Sequence, residues 1–328
     1  MVLVTGATGF IGSALCRALI REGRRVRALH RPTSDLRAIA DLPLERYVGD
    51  ILDPQSLAPC LAGVDLVFHA AAQSAYWREP QAVLRTAIEG TINVMRAAQE
   101  AGVSRAVLTS SIAAMGVPER DELLTEQHYF NLPARRFPYG YAKRQSEIEA
   151  LKLADRGLEV VVVNPTIVLG PGDLNQISGS MVIEAARGWG FFWIDGGANY
   201  VHIQDAVRGH LAAAELGRPG ERYILGGENL PHREVFTSLA EIVGRRPPWM
   251  KIPSWSIEPA ARLIDALRLV AQLPFDAGQL RISRHRLFCD LSKSQRQLKL
   301  PEPLPLRQAA QETYAWYREQ GVIETQPD

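Results

Sequence analysis

The chain opens with Val2-Leu3-Val4-Thr5 and passes at once into Gly6-Ala7-Thr8-Gly9-Phe10-Ile11-Gly12, an order that reads as strand, tight turn and helix. A turn that takes positive φ and brings backbone N–H groups up to a phosphate at a helix N-terminus admits glycine at little cost and other residues poorly. The helix that follows keeps a 3.6-residue apolar period through Ile11, Ala14, Leu15, Ala18 and Leu19 until Gly23, and residues 26–29 supply the next strand. A βαβ unit therefore forms at the start of the chain. Its glycines Gly6, Gly9 and Gly12 are spaced G-x-x-G-x-x-G rather than G-x-G-x-x-G.

Short β-branched runs at 46–48, 66–70, 106–109 and 160–163 alternate with helical stretches, which predicts an α/β fold of Rossmann type, a doubly wound parallel sheet. Beyond Thr166 prolines and glycines become denser, and aromatics gather at Trp189, Phe191, Phe192 and Trp193. The boundary is placed near Pro165, giving a dinucleotide-binding domain at 1–165 and a smaller, mostly helical C-terminal substrate domain at 166–328. Strand-like segments at 200–203 and 222–225 predict that the chain revisits the first domain, around 200–215, before it ends.

Composition narrows the function classes. A net charge of +1 on 328 residues, with no Lys/Arg cluster interleaved with aromatics, leaves no nucleic-acid footprint. Cys16, Cys60 and Cys289 lie far apart without C-x-x-C spacing, so neither a disulfide framework nor a metal site is expected, and a reduced, cytoplasmic setting fits. The first strand begins at residue 2 and no run reaches the ~18 apolar residues of a span, so neither a leader nor stable membrane insertion is expected. Within 257–273, Leu263, Ile264, Leu267, Val270 and Leu273 form an apolar face opposite Arg262, Asp265 and Arg268. A helix packed on its own domain is the first reading of that face, and contact with a membrane surface the second.

Tyr139 and Lys143 stand four apart at the start of a helix that runs to Gly157, and so share one helical face. A tyrosine can donate a proton to a ketone oxygen as hydride arrives, and a neighbouring ammonium stabilises the phenolate left behind. Bringing a tyrosine from about 10 toward neutrality takes roughly 4 kcal/mol, whereas an exposed ion pair supplies about 0 to 1, so Lys143 must act in a desolvated pocket. Upstream, Val107-Leu108-Thr109-Ser110-Ser111 ends a buried strand in hydroxyls at the carboxyl edge where open α/β sheets bind ligands. Ser111 is expected to hydrogen-bond the substrate oxygen, with Ser110 as the fallback. At the end of the second strand an acidic residue would favour NAD and an arginine NADP; His30-Arg31 points to NADP(H), with NAD(H) the alternative.

The segment Thr5-Gly6-Ala7-Thr8-Gly9-Phe10-Ile11-Gly12 resembles the extended short-chain dehydrogenase/reductase superfamily, also called the NAD-dependent epimerase/dehydratase family. Gly49-Asp50-Ile51, His69-Ala70-Ala71, Gly90-Thr91 and Gly170-Pro171-Gly172 extend the likeness over nearly the whole chain. The resemblance implies Ser111 as the third catalytic residue. It also implies cofactor contacts from Thr8, Phe10, Ile11, Asp50, Ile51, His69, Ala70, Ala71, Thr109, Pro165 and Ile167, besides the glycines, Tyr139 and Lys143. Where the family often has asparagine, this chain has Ala87. Many members dimerise through helices that correspond here to 80–101 and 139–155, so a homodimer is expected.

Nucleotide-sugar epimerases of this superfamily carry R-D-[FY] before V-H-V, and the arginine binds the diphosphate. Here the tripeptide is Ala198-Asn199-Tyr200, and another cation such as Arg187 or Arg208 would have to replace that contact. Tyr76, Trp77, Met181, Trp189, Phe191, Phe192, Trp193 and Tyr200 fall in regions expected to line the substrate cleft, which suits a flat apolar ring system. Residues 31–35 and 217–230 resemble the dihydroflavonol reductase and 3β-hydroxysteroid dehydrogenase branch, including bacterial members named hopanoid-associated epimerases. The reading is an NAD(P)-dependent oxidoreductase interconverting a secondary alcohol and a ketone on a bulky apolar ring. The alternatives are a nucleotide-sugar epimerase or dehydratase and, more remotely, a non-catalytic NAD(P)-binding sensor.

Overall fold

The central strands of the N-terminal half are short and mostly apolar because they are covered on both faces, whereas the edge strand at 45–48 is largely exposed. The computed structural model describes residues 1–72, 80–119, 121–154, 157–267 and 277–324. In chain order the first lobe contains β1 (Val2–Thr5), α1 (Phe10–Arg21), β2 (Val26–His30), β3 (Glu45–Val48), α2 (Pro54–Cys60), β4 (Leu66–His69), α3 (Pro80–Glu100), β5 (Arg105–Thr109), α4 (Pro138–Ala154) and β6 (Glu159–Pro165). There follow β7 (Ile167–Leu169), α5 (Ser180–Ala186), β8 (Phe192–Ile194), β9 (Gly197–His202), α6 (Ile203–Leu216), β10 (Arg222–Leu225), β11 (Glu228–Pro231) and α7 (His232–Ile242). The chain finishes with β12 (Met250–Ile252), α8 (Ile257–Leu267), α9 (Ala277–Ser283), β13 (Arg286–Leu287), α10 (Ser292–Gln297) and α11 (Leu306–Glu319).

Seven parallel strands form the large sheet in the order β10-β6-β5-β4-β1-β2-β3. Alternation along each strand divides its residues between two cores. Val2, Val4, Phe68, Val107, Val161 and Val163 meet α1 and α6, whereas Leu3, Val67, Ala106, Leu108, Val160 and Val162 meet residues of α2, α3 and α4. The strand order reverses between β1 and β4, and in such sheets ligands bind beyond the strand ends at that point. Gly23 ends α1 as its period suggested: it takes φ 75°, and Arg24 N donates to Leu19 O across the closed turn.

After Pro165 the chain leaves the large sheet, and β7 pairs instead with β9 in a second sheet that also holds β11 and β13. It then returns: α6 covers one face of the large sheet and β10 pairs with β6 at its edge. The smaller lobe packs α5, α7 and α11 around Tyr200, Val235, Leu239 and Tyr317, and carries more sheet than its helical periods suggest. The amphipathic reading of 257–273 needs correction. Helix α8 buries Ile257 and Ala261, while Leu263 and Leu267, expected on the packed face, are 60% and 43% exposed. Val270 and Leu273 lie outside the described residues.

Candidate active site

The glycine turn is built by close approach. Gly6 takes φ 67°, and a Cβ there would stand 2.6 Å from the Ala71 Cα; at Gly12 it would stand 2.1 Å from the Gly6 carbonyl oxygen. Only glycine lets the β1–α1 turn close on itself and on the chain leaving β4. The turn forms one wall of a groove of about 360 Å³. Of the expected cofactor residues, Gly6, Thr8, Gly9, His30, Arg31, Asp50, Ile51, Ala70 and Ala71 line it. A long polar groove with a glycine cradle at its centre fits a dinucleotide, its pyrophosphate on the turn and the N-terminus of α1.

Other expected contacts are placed differently. Phe10 and Ile11 pack toward the core from the first turn of α1, Pro165 is buried at the end of β6, and Ile167 is half-buried against the second lobe's core. None of these four, nor Thr109, lines the groove. Residues not anticipated do line it: Thr33 and Ser34 in a turn closed by Ser34 N donating to Arg31 O, together with Leu52, Thr86 and Asn175. The Arg31 guanidinium is exposed and takes no carboxylate partner among the described residues.

His69 lies beneath the groove rather than in it. Thr5 Oγ1 stands 2.7 Å from its Nδ1, Thr91 Oγ1 stands 3.1 Å from its Nε2, and the ring is 1% exposed. Burial first, and then the charge of Lys143, press its pKa down to about 3, so it is a neutral spacer. Gly90-Thr91 acquires a physical reason here: a Cβ on Gly90 would meet the Ile51 side chain at 2.5 Å, and Thr91 reaches the imidazole.

The catalytic candidates converge at the carboxyl edge of β5. Ser111 is extended and its hydroxyl accepts from Ala113 N, capping a short 3₁₀ turn. Gly140 lets α4 press on that turn, since a Cβ there would lie 2.6 Å from the Ala113 carbonyl oxygen. Tyr139 is thereby brought within hydrogen-bonding reach of Ser111. Of the two serines, Ser110 turns inward and donates to Glu147 Oε1, which leaves Ser111 beside the tyrosine. Burial pushes the Tyr139 phenol up, with the Ser111 hydrogen bond opposing. The residue is a protonated phenol, poised to give a proton rather than to take one.

Lys143, one turn on, is 6% exposed and donates from Nζ to the Thr109 carbonyl oxygen at 3.0 Å. Burial lowers its pKa to about 8, against the opposing charge of Glu147. It is the desolvated amine that the energetic argument required. Another turn along, Glu147 has no exposed side-chain surface and stands at the centre of a network that residue types did not reveal. It accepts from Asn164 Nδ2 at 2.6 Å as well as from Ser110, and pairs with Arg144 and Arg222 at 3.1 Å each. Asn164 Nδ2 also donates to the Ser111 carbonyl oxygen, so the network holds the backbone of Ser111. Its only sequence signal is the spacing Tyr139, Lys143, Glu147, a continuous helical stripe.

What surrounds Tyr139 is apolar, but it is not the expected aromatic set. The phenol packs on Val83 and Ala142, which Leu84 and Ala87 also cover, and on Val117, Phe137 and Ile282, with the Phe137 ring edge-on at 6.2 Å. Ala87, which replaces the family's asparagine, is thus part of this wall. Tyr200 is 2% exposed inside the second lobe's core, and Met181 is half-buried against that core, so both are packing residues. Trp189 and Phe192 are 63% and 36% exposed and belong to a different surface. Tyr76 and Trp77 lie outside the described residues. Arg187 pairs with Glu184 and Arg208 with Asp205, each within its own turn of helix, and neither lines the groove.

Comparison with known proteins agrees with this geometry. Residues 2–226 match the NAD dependent epimerase/dehydratase family. A protein of Synechocystis sp. with the provisional name dihydroflavonol 4-reductase is 32% identical, over 98% of this chain and 96% of its own. Sterol demethylase protein B of Methylococcus capsulatus is 34% identical, over 98% and 99%. The crystal structure of gox2253 superposes with a TM-score of 0.88 at 36% identity, covering 99% of both chains. With the match spanning the glycine cradle, the Tyr139–Lys143 helix and the return through β10, the chain belongs to the NAD-dependent epimerase/dehydratase family, the extended short-chain dehydrogenase/reductases, and is an enzyme of that NAD(P)-dependent class.

Proposed function

We propose that this enzyme is an NADP(H)-preferring oxidoreductase interconverting a secondary alcohol and a ketone on a bulky apolar ring, of steroid, triterpenoid or flavonoid type. The observation that carries this reading is what stands where a sugar-nucleotide enzyme would hold its diphosphate. Ala198, Asn199 and Tyr200 are 4%, 2% and 2% exposed. The Asn199 amide is spent on Gly227 and Asn229. A diphosphate finds no cation among these three residues, whereas the side chains packed about Tyr139 are apolar, which suits an apolar ring. The names of the Synechocystis and Methylococcus relatives support the same substrate class.

In this reading Gly6, Gly9 and the first turn of α1 hold the pyrophosphate, Asp50 and Ile51 flank the adenine end, and Arg31 with Ser34 receives a 2′-phosphate. A nicotinamide held in this groove would supply or accept the hydride. Tyr139 gives its phenolic proton to the ketone oxygen, and Ser111 hydrogen-bonds the same oxygen as negative charge develops. Lys143, buried one helical turn on, stabilises the phenolate that remains. Helices α3 and α4 provide the expected face for a homodimer.

The test begins with freshly purified protein, denatured so that released NAD(H) and NADP(H) can be quantified by mass spectrometry. Near-stoichiometric NAD⁺ means a cofactor regenerated in place and favours the epimerase alternative over this reading. Protein that emerges empty, binds NADPH more tightly than NADH, loses that preference in Arg31→Ala, and reduces polycyclic ketones unless Tyr139 is changed to Phe sustains it.

A further inference from the structure

The second lobe exposes an aromatic surface that the catalytic reading does not use. Trp189, Trp249 and Trp255, three of the chain's six tryptophans, are 63%, 73% and 76% exposed. Local structure joins Trp249 to Phe191, Phe192 and Met250, and Trp189 lies two residues before Phe191 in the chain. Strands β8 and β12 pair with Phe192 opposite Met250, both 36% exposed. Phe191 lies edge-on to Phe192 at 5.2 Å and stacks on Trp249 at 6.3 Å, and its carbonyl accepts from both Trp249 N and Met250 N. Trp255 stands on a short 3₁₀ turn that leaves β12 directly. The patch is therefore fixed by backbone hydrogen bonds rather than draped over the surface.

One edge of it is cationic, a small group of basic residues interleaved with aromatics at 245–255 that corrects the expectation of no such cluster. Arg245 and Arg246 are exposed and share with Phe191 and Trp249 the walls of a shallow pocket of about 410 Å³. The Arg245 Nε donates to the Ala186 carbonyl oxygen, which pins its guanidinium at that edge. Lys251 lies one residue past Met250 and reaches Asp195 at 2.8 Å. From Arg245 to Ile257 the sequence contains no acidic residue.

We propose that this face docks the enzyme on the surface of an anionic phospholipid bilayer, the tryptophans at headgroup depth and Arg245 and Arg246 against the phosphates. Tryptophan is the side chain most at home where an apolar ring must keep a polar N–H in a wet boundary, and each basic group near an anionic leaflet adds attraction. A second copy of the chain fits less well, because a two-fold contact sets a patch against itself and brings the arginine rims together. The inference is independent of the substrate assignment, although a bilayer is also where a polycyclic lipid would be met.

The experiment is co-sedimentation of the full chain with vesicles of phosphatidylcholine and phosphatidylglycerol in equal parts, against phosphatidylcholine alone, with light scattering of the vesicle-free protein alongside. The expected result is binding to the mixed vesicles that weakens with salt, with a blue shift of tryptophan emission. Trp249→Ser/Trp255→Ser loses it by at least about tenfold, and Arg246→Glu by at least about fivefold, on the estimate that one basic group at such a surface accounts for roughly that factor. Dinucleotide binding stays unchanged in both variants, which shows that they fold. Failure to bind either vesicle overturns the proposal, as does equal binding by the variants. So does a concentration-dependent dimer that disappears in the tryptophan variant, since a second copy then covers the patch.

Discussion

Replacing Lys143 with methionine should make the cofactor-free protein more stable at neutral pH while abolishing its chemistry. The ammonium is buried, and its pKa falls from the ordinary 10.5 to about 8, chiefly through desolvation. Between those two values the unfolded chain holds a proton that the folded chain does not, so this group makes stability rise with pH across that window. Below it the charge is carried into the fold at a cost of about 3 kcal/mol, taking roughly 1.4 kcal/mol per pH unit. Methionine removes that cost but forfeits the hydrogen bond to the Thr109 carbonyl oxygen, worth about 1 kcal/mol net. Lys143→Met should therefore be about 2 kcal/mol more stable than the parent near pH 7, lose that advantage through the window above about pH 8, and be the less stable protein near pH 10. Urea unfolding of both proteins over that range, with m-values compared, measures the gap directly. A variant less stable at neutral pH, or a gap that ignores pH, would refute the view that Lys143 enters the site as a desolvated cation.

Three further outcomes are expected. Glu147→Gln leaves the Arg144 and Arg222 guanidinium groups without their buried carboxylate and should lower unfolding free energy by about 3–5 kcal/mol, with a further fall in the Lys143 pKa; a loss under 1 kcal/mol would contradict the network. His69 and His210 are held neutral, near about 3 and about 4, so below their unfolded value of 6.5 the unfolded chain takes up protons first and stability falls with pH. By about pH 5 each should have removed roughly 2 kcal/mol, and His210→Gln, which cannot protonate there, should remove about half of the combined loss in acid unfolding curves. Gly6→Ala should weaken dinucleotide binding in a fluorescence titration, because its methyl collides with Ala71. Gly23→Ala, with the same sign of φ but open space around it, should lose only about 1 kcal/mol of stability and bind normally.

The large sheet was legible because its physics is local. Four-residue apolar runs spaced by amphipathic helices permit little else, and the residues that close the glycine turn are adjacent in sequence. The juxtaposition of Tyr139, Lys143 and Ser111 was legible for a similar reason: one helical turn and one strand end carry them. Glu147 was not, because its partners Ser110, Asn164 and Arg222 arrive from β5, β6 and β10, and no local pattern foretells which strand edges meet a helix. The aromatic wall was misread for a different reason. Residue type reports a preference for burial or for a boundary but not which one a fold uses: β9 takes Tyr200 into a core, while the turn after α5 leaves Trp189 outside. The apolar side chains on which Tyr139 packs are Val83, Ala142, Val117, Phe137 and Ile282, ordinary residues that attract no notice in a sequence.

The return of α6 and β10 to the large sheet bears on any attempt to re-engineer this enzyme by exchanging halves. Nothing after Pro165 is a detachable module: a cut there would strip one face of the sheet of Ile203, Ala206, Val207 and Ala213 and leave β6 as a raw edge, open to pairing with another chain. The second lobe can therefore be exchanged only as two separate inserts, one spanning β7 to β9 and one beginning at β11, with the intervening α6–β10 segment kept native to the recipient.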